Sequence, residues 1–407
     1  MDPLAYVFSL EQFGIKFGLD NIRALLARLG NPHQAYQSIH IAGTNGKGSV
    51  TAMVDAVLRR AGHHSARYTS PHLVDLSERF VVDGRPASPD EMRRSAADVR
   101  NVIEGMIGDG TLPARPTFFE ATTAMAFDLF RNARVEFAVI EVGLGGRLDS
   151  TNVIEPVVTA ITSIDFDHQQ YLGHTLAAIA AEKAGIIKES IPVVVGNVAP
   201  EAYDVIARVA RERHAELIRS HDTLRSYGPL HVGLRGEHQI ANAGVALGVL
   251  EALERRGVAV GVDAIHDGLA NVTWPGRLDH RTLASGHQIV LDAAHNPAGA
   301  RALASYVRSL GVKPTLVFGA MRDKDVEGML AELLPEVARV VVTKASSPRS
   351  ADPHELASRI RHIAPSLEVS VVLSPHEAVV AATHSSPLTV VAGSIFLLGD
   401  VIHEIGT

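Results

Sequence analysis

Short apolar runs alternate with longer stretches of helical period along most of the chain. Ile39, Ile41 and Ala42 form a β-prone run, and just beyond it Val50, Met53, Val54, Val57 and Leu58 recur at helical spacing. Ahead of that run, Ile22, Leu25, Leu26 and Leu29 give residues 17–29 one apolar face. Residues 65–69 follow as a second strand, 79–82 with the turn Asp83-Gly84 as a hairpin edge, and 88–107 as a helix capped by Ser88 with Pro89 first. An apolar helix is expected over 116–131, a strand buried on both faces over 135–142, and a further strand over 156–164. A helix over 175–187, a strand over 193–195 and a long helix over 237–256 complete an α/β rhythm of the doubly wound kind across residues 1–272.

The rhythm breaks at Thr273-Trp274-Pro275-Gly276, which makes 273–278 a linker, and resumes on a smaller scale over 279–407. Strands are expected there at 288–291, 315–318, 340–342, 369–373 and 389–391, with helices between them. The predicted fold class is therefore α/β: a doubly wound N-terminal domain, a hinge near Trp274, and a smaller Rossmann-like domain.

Composition narrows the partners. The 407 residues are 46% hydrophobic and 20% charged, which is globular rather than disordered composition. A net charge of −7 argues against a general nucleic-acid binder and supplies no polybasic membrane patch. The absence of cysteine excludes disulfides and thiolate zinc sites and is compatible with a reducing cytosol. The first twenty residues carry early acidic groups and no apolar core with a cleavage site, and no run of about 18 apolar residues exists to span a bilayer. A monomeric cytoplasmic protein acting on small molecules is the expectation.

Chemistry centres on Gly43-Thr44-Asn45-Gly46-Lys47-Gly48-Ser49, between a strand and a helix. Glycines let backbone N–H groups surround an anion, and the helix N-terminus adds partial positive charge. Lys47 can reach terminal phosphates, and Thr44 or Ser49 can hold Mg²⁺. The spacing departs from the usual Walker pattern, so an ordinary glycine turn with an exposed lysine is the plain alternative. In an open α/β sheet ligands gather beyond the carboxyl ends of strands. Lys47, Ser70, Glu141 and His168 all follow expected strand ends, so the fold would bring them together. Glu141 would hold Mg²⁺ or else form a salt bridge or a helix cap; His168 could be a ligand or a phosphate donor, but taken alone it reads first as a satisfied histidine. Lys183, among small and apolar neighbours, is either a surface lysine or a buried one in need of a charge partner or a covalent change. Past the linker, Asp292 and His295 end a strand where ribose hydroxyls, phosphate or an amine could meet them; a simple turn before a helix fits too. Arg277 can reach phosphates, and Asn242 on the long helix reads equally as a partner for an adenine edge or as a solvated asparagine.

These stretches together resemble the folylpolyglutamate synthase and dihydrofolate synthase family, within the Mur-type amide ligases. The resemblance runs over nearly the whole chain, through GIKFGLDNI, HIAGTNGKGS, TSPHLVDLSER, TFFEATTAMAF, EVGLGGRLDSTN, DHQQYLG, EKAGIIK, WPGRLD, LDAAHNP and GSIFLLGDV in that order. It implies that Gly43, Thr44, Asn45, Gly46, Lys47, Gly48 and Ser49 bind ATP phosphates, and that Ser70, Glu141 and His168, with Ser49, ligate Mg²⁺ at two sites. It implies a carbamylated Lys183, a nucleotide lined by Asn242, Arg277 and Asp292, and His295 near phosphate and the incoming glutamate. Phe119 and Asp149 match residues that contact the pterin of dihydropteroate in bifunctional members. Asp165-Phe166, ahead of Asp167-His168, departs from the family pattern, which more often has a small or apolar residue there. The implied reaction joins L-glutamate to dihydropteroate or a reduced folate through an acyl phosphate, with Lys47, Lys183 and His295 as catalytic groups. A Mur-type ligase acting on a cell-wall nucleotide peptide, a P-loop regulatory ATPase and an inactive binding module are the rival readings; the folate-type stretches argue against the first.

Overall fold

In the computed structural model, which describes residues 2–14, 16–112, 114–227, 230–384 and 386–405, the chain divides into two units. The first comprises Met1–Ile164, Leu172–Gly233 and Ala241–Val272, the second Asp165–Tyr171, Leu234–Ile240 and Thr273–Thr407. The break at Trp274 is thus one of several, and two short segments numbered within the first unit pack with the second.

The first unit holds an eight-stranded sheet of β1 Gln37–Ala42, β2 Ser65–Tyr68, β3 Phe80–Val82, β4 Arg85–Pro86, β5 Phe137–Glu141, β6 Val158–Ile161, β7 Val193–Val195 and β8 Leu217–Arg219. Their order is β4-β3-β2-β5-β1-β6-β7-β8, parallel from β2 to β8, with the β3–β4 hairpin antiparallel at one edge. Every residue of β5 and β6 is buried, which explains their unbroken apolar runs. Helices begin where the capping signals place them. Ser88 and Glu91 form a capping box on Pro89–Gly108, and Thr117 and Glu120 form a buried one on Phe118–Ala133. One core packs Ile22, Leu25, Val99, Ile103, Phe127 and Phe130 against the sheet. The strand expected over 156–164 is only Val158–Ile161, because the chain leaves the ladder at Thr162. The helix Pro200–Glu212 and strand β8 are further elements that the sequence reading did not include.

The second unit holds a six-stranded sheet of β9 Asp279–Thr282, β10 Gln288–Leu291, β11 Thr315–Phe318, β12 Arg339–Val342, β13 Glu368–Val371 and β14 Leu388–Ala392. The order is β13-β12-β11-β14-β10-β9, parallel except for β9. Strand β9 reads DHRT, with no apolar alternation to announce it; its antiparallel pairing with β10 makes it an edge strand. Asn296 caps the helix Pro297–Ser309 by accepting from the Gly299 N–H, with Pro297 as its first residue.

Candidate active site

Strand register assembles the first unit's site. Ile41 pairs with Glu141 and Ala42 with Ile161, so the loop beginning at Gly43 leaves the sheet between the ends of β5 and β6. Gly46 adopts φ +85°, and a Cβ there would fall 2.3 Å from Asn242 Oδ1. Only glycine fits that left-handed, crowded position. The helix Lys47–Arg60 starts directly after it, so its first N–H groups and dipole face the loop. Lys47 Nζ donates to the Gly43 and Thr44 carbonyls, both at 3.2 Å. Lys183, 4% exposed on the helix Leu176–Ala184, donates to the same Gly43 carbonyl at 2.9 Å. A surface lysine is thereby excluded for Lys183.

Glu141 is 5% exposed, and its Oε2 accepts from the Ser70 N–H at 3.3 Å. Ser49 is buried at 2%. Hydroxyl and carboxylate oxygens at Ser49, Ser70 and Glu141 suit a hard divalent cation that keeps some of its waters. A carboxylate buried this deeply at a strand end is stable only with compensating partners. Among the described residues, no three His, Asp or Glu side chains cluster as a ready-made metal cage. His168 lies in Asp165–Tyr171, which packs with the second unit.

Behind Ser70, Arg79 donates from Nε to His72 Nδ1 at 3.0 Å and stacks over Phe118 at 5.3 Å. Burial and the adjacent guanidinium push the His72 pKa down to about 4, so this ring is neutral at pH 7. Phe119 stacks on Tyr68 with centroids 6.2 Å apart, and a Cβ on Gly143 would strike its ring at 2.5 Å. The loop after Glu141 therefore lies directly against an aromatic face. Asp149 braces that loop: Oδ2 accepts from the Leu144 N–H at 2.8 Å, and Oδ1 from the Thr151 N–H at 3.0 Å and the Thr151 hydroxyl at 2.5 Å. Burial raises the Asp149 pKa against those hydrogen bonds.

In the second unit Asp292 is buried; Oδ2 accepts from the Leu278 N–H at 2.8 Å and Oδ1 from the Ala294 N–H at 3.0 Å. Burial raises its pKa, while Arg277 and His238 oppose the rise. Its neighbour His238 is pushed down by burial. The second unit also holds a polar cleft lined by Asp167, His168, Asn296 and Lys324 among others. Lys324 Nζ donates to Asp167 Oδ1 at 2.6 Å and lies 3.5 Å from His168 Nε2. Asn296 Nδ2 donates to Asp167 Oδ2 at 3.2 Å, and His295 Nε2 stands 3.4 Å from the same oxygen. His295 Nδ1 faces the Ala293 carbonyl at 2.9 Å. Burial alone would raise the Asp167 pKa; His295 and Lys324 outweigh it and hold the carboxyl well below the usual carboxylate range. His168 sits at φ +50°, a strained value for a residue with a side chain, of the sort that collects at functional sites. Asp165 accepts from its neighbour Phe166 N–H at 2.9 Å.

The candidates thus divide between the units. Gly43–Ser49, Ser70, Phe119, Glu141, Asp149, Lys183 and Asn242 belong to the first, and His168, Arg277, Asp292 and His295 to the second. Asp167 and Lys324 escaped the sequence reading of roles. The only available signal was position, since Arg322-Asp323-Lys324-Asp325 follows the end of β11 as Lys47 follows β1.

Residues 96–227 match the Mur ligase middle domain, and residues 276–395 the Mur ligase glutamate ligase domain. The Bacillus subtilis dihydrofolate synthase/folylpolyglutamate synthase is 34% identical over 98% of this chain and 97% of its own length. The Mycobacterium tuberculosis folylpolyglutamate synthase, solved with ADP and AMPPCP, superposes with a TM-score of 0.90 at 35% identity, covering 100% of this chain and 99% of that one. The Yersinia pestis bifunctional folylpolyglutamate synthase/dihydrofolate synthase, solved with AMPPNP and a Mn ion, gives a TM-score of 0.86 at 29% identity, covering 100% and 98%. The chain belongs to the folylpolyglutamate and dihydrofolate synthases of the Mur ligase family.

Proposed function

We propose that this protein is an ATP-dependent ligase that joins L-glutamate to the carboxylate of a pteroate or folate acceptor. The observation that carries the reading is the convergence at Gly43 of a glycine cradle, the Lys47 and Lys183 side chains and, on the adjoining strand, the Glu141 carboxylate. Amide formation from a carboxylate in water is uphill, so the carboxylate must first be activated. The acceptor carboxylate attacks the γ-phosphorus of ATP, releasing ADP and leaving an acyl phosphate. The neutral α-amine of glutamate then adds to the acyl carbon, and the tetrahedral intermediate collapses to amide and phosphate.

Each group has a task in this scheme. The backbone from Gly43 to Ser49 cradles the phosphates, and Lys47 leaves its two carbonyls to neutralise the γ-phosphate. Asn242, Arg277 and Asp292 receive the adenosine. Ser49, Ser70, Glu141 and His168 are the ligands assigned to magnesium. The nucleotide- and manganese-bound relatives support a nucleotide with a divalent ion in this chain as well. When bound, the ion neutralises phosphate charge and holds the transferred group in line. Lys183 enters as its carbamate, which would turn a buried cation into an oxygen donor set. Phe119, with the loop that Asp149 braces, takes the pterin ring, which favours dihydropteroate as well as folates among the acceptors. The cleft around Lys324 and His295 takes glutamate. No described helix is long and apolar enough to cross a membrane, and we assign the activity to a cytoplasmic monomer.

The test measures phosphate release from ATP and Mg²⁺ with dihydropteroate or a reduced folate, each with and without L-glutamate. Release that requires both organic substrates is expected. Release indifferent to both would make the protein a regulatory ATPase, and release with folate but never dihydropteroate would remove dihydropteroate from the acceptors.

A further inference from the structure

The peptide that enters the phosphate loop is held from outside the loop. Ser163 takes two successive amides: the Thr44 N–H donates to the Ser163 carbonyl at 2.8 Å, and the Asn45 N–H to Ser163 Oγ at 2.9 Å. The Asn45 carbonyl in turn accepts two hydroxyls, Thr162 Oγ1 at 2.6 Å and Ser163 Oγ at 3.0 Å. Thr162 is itself immobilised. It is 4% exposed, and its N–H donates to the Ala42 carbonyl at 2.9 Å. A Cβ on Gly43 would lie 1.9 Å from its hydroxyl, and a Cβ on Gly196 would lie 1.9 Å from its carbonyl oxygen. The threonine is wedged between two glycines that come from neighbouring strand ends.

Peptide planarity gives this arrangement a consequence. In a trans peptide the carbonyl of one residue and the N–H of the next share a plane and point in opposite directions. Two hydroxyls that draw the Asn45 carbonyl toward the end of β6 therefore turn the Gly46 N–H away from β6. That amide is the first one at the N-terminus of the helix Lys47–Arg60, where an anion is favoured. The Thr44 and Asn45 amides are already committed to Ser163, so the loop's anion-facing series begins at Gly46.

We infer that Thr162 and Ser163 are positioning residues for the nucleotide: by fixing the Asn45 carbonyl they aim the Gly46 N–H at the phosphate. This rests on the reading of Gly43–Ser49 as the phosphate cradle. It explains how a loop shorter than the usual Walker pattern keeps its amides convergent, since the missing internal constraint is supplied by the hydroxyls of a neighbouring strand end. Neither residue touches the anion. Their effect passes through one peptide plane.

The test titrates the full-length protein with ADP by calorimetry and measures KM for ATP and for L-glutamate in parallel. Thr162→Val keeps the shape and removes the hydroxyl. It is expected to weaken ADP binding and raise KM for ATP by about tenfold, the equivalent of one lost orienting hydrogen bond. KM for glutamate should stay unchanged. Thr162→Ser should return both nucleotide values to within about twofold of the wild type. Ser163→Ala, which leaves the Thr162 wedge intact, should show the same selectivity if Thr162→Val does not fold. Wild-type ADP affinity in Thr162→Val or Ser163→Ala would overturn the inference, as would a Thr162→Ser protein no better than Thr162→Val. If the wild-type protein itself fails to bind ADP, the cradle reading falls and the inference with it.

Discussion

Asp167→Asn is expected to cost the second unit about 3 kcal/mol at neutral pH, toward the lower end of what breaking a buried ion pair from one side costs. Both charged partners are almost out of solvent, with Asp167 9% and Lys324 8% exposed in their side chains. Oδ1 accepts Lys324 Nζ at 2.6 Å and the His168 N–H at 2.8 Å, and Oδ2 accepts Asn296 at 3.2 Å. An asparagine keeps one acceptor but turns its NH₂ group toward Asn296 and His295, and it leaves the Lys324 ammonium without a full counter-charge. The lower end of the range applies because the cleft gives that ammonium some access to water. For a unit of this size the loss corresponds to a fall of about 6–12 °C in Tm. Scanning calorimetry of the full-length protein measures it, with Arg349→Ala as the control. Arg349 pairs with Asp323 at 2.9 Å but is 57% exposed, so its removal should cost under about 1 kcal/mol. Acid adds a second check. The folded-state pKa of Asp167 is depressed, so its stabilisation is complete above the unfolded carboxyl range near pH ~4 and fades as pH falls toward the folded value. The Tm gap between wild type and Asp167→Asn should therefore narrow in acid. A neutral-pH fall no larger than that of Arg349→Ala, or a gap that widens in acid, would refute the reasoning.

Gly46→Ala places a methyl 2.3 Å from Asn242 Oδ1 at φ +85° and should weaken nucleotide binding by about 10- to 100-fold, read by ADP titration. Lys183→Ala should lose most ligase activity, with partial recovery on adding small carboxylates that replace a carbamate; an intact-mass measurement showing only unmodified lysine in the active wild type would count against that role. Phe119→Ala removes a half-buried ring stacked on Tyr68. It should raise KM for dihydropteroate about tenfold, a loss of about 1.4 kcal/mol, while KM for ATP stays level.

The apolar pattern was most informative where strands are buried on both faces. Val193–Val195, Gln288–Leu291 and Thr315–Phe318 coincide with their expected spans, because each holds three successive buried apolar residues with no polar one between them. It was least informative at edges. Strand β9 is polar throughout, and the expected strand over 156–164 overran the point where Thr162 turns from pairing with β1 to holding the loop. Among site residues, the glycine loop and Glu141 were legible because each directly follows or ends an apolar run. Lys324 was not, because its partner Asp167 lies 157 positions away and nothing in either local sequence marks the pair. Nor was the commitment of both Asp149 oxygens to its own loop, which depends on backbone positions that only the folded chain fixes.

The placement of Asp165–Tyr171 and Leu234–Ile240 bears on how this protein can be taken apart. A polypeptide cut at the linker would yield a C-terminal piece lacking Asp167, in which the Lys324 side chain, only 8% exposed, has lost its carboxylate. The complementary piece would carry two stretches of sequence with no surface of their own unit to settle on. The interruption at Trp274 invites that cut, which would part segments that pack together in the intact chain. Ribosomal synthesis meets the same constraint: residues 165–171 emerge well before His295, Asn296 and Lys324, so the chain must be made past Lys324 before that segment, and the His168 it carries, can make those contacts.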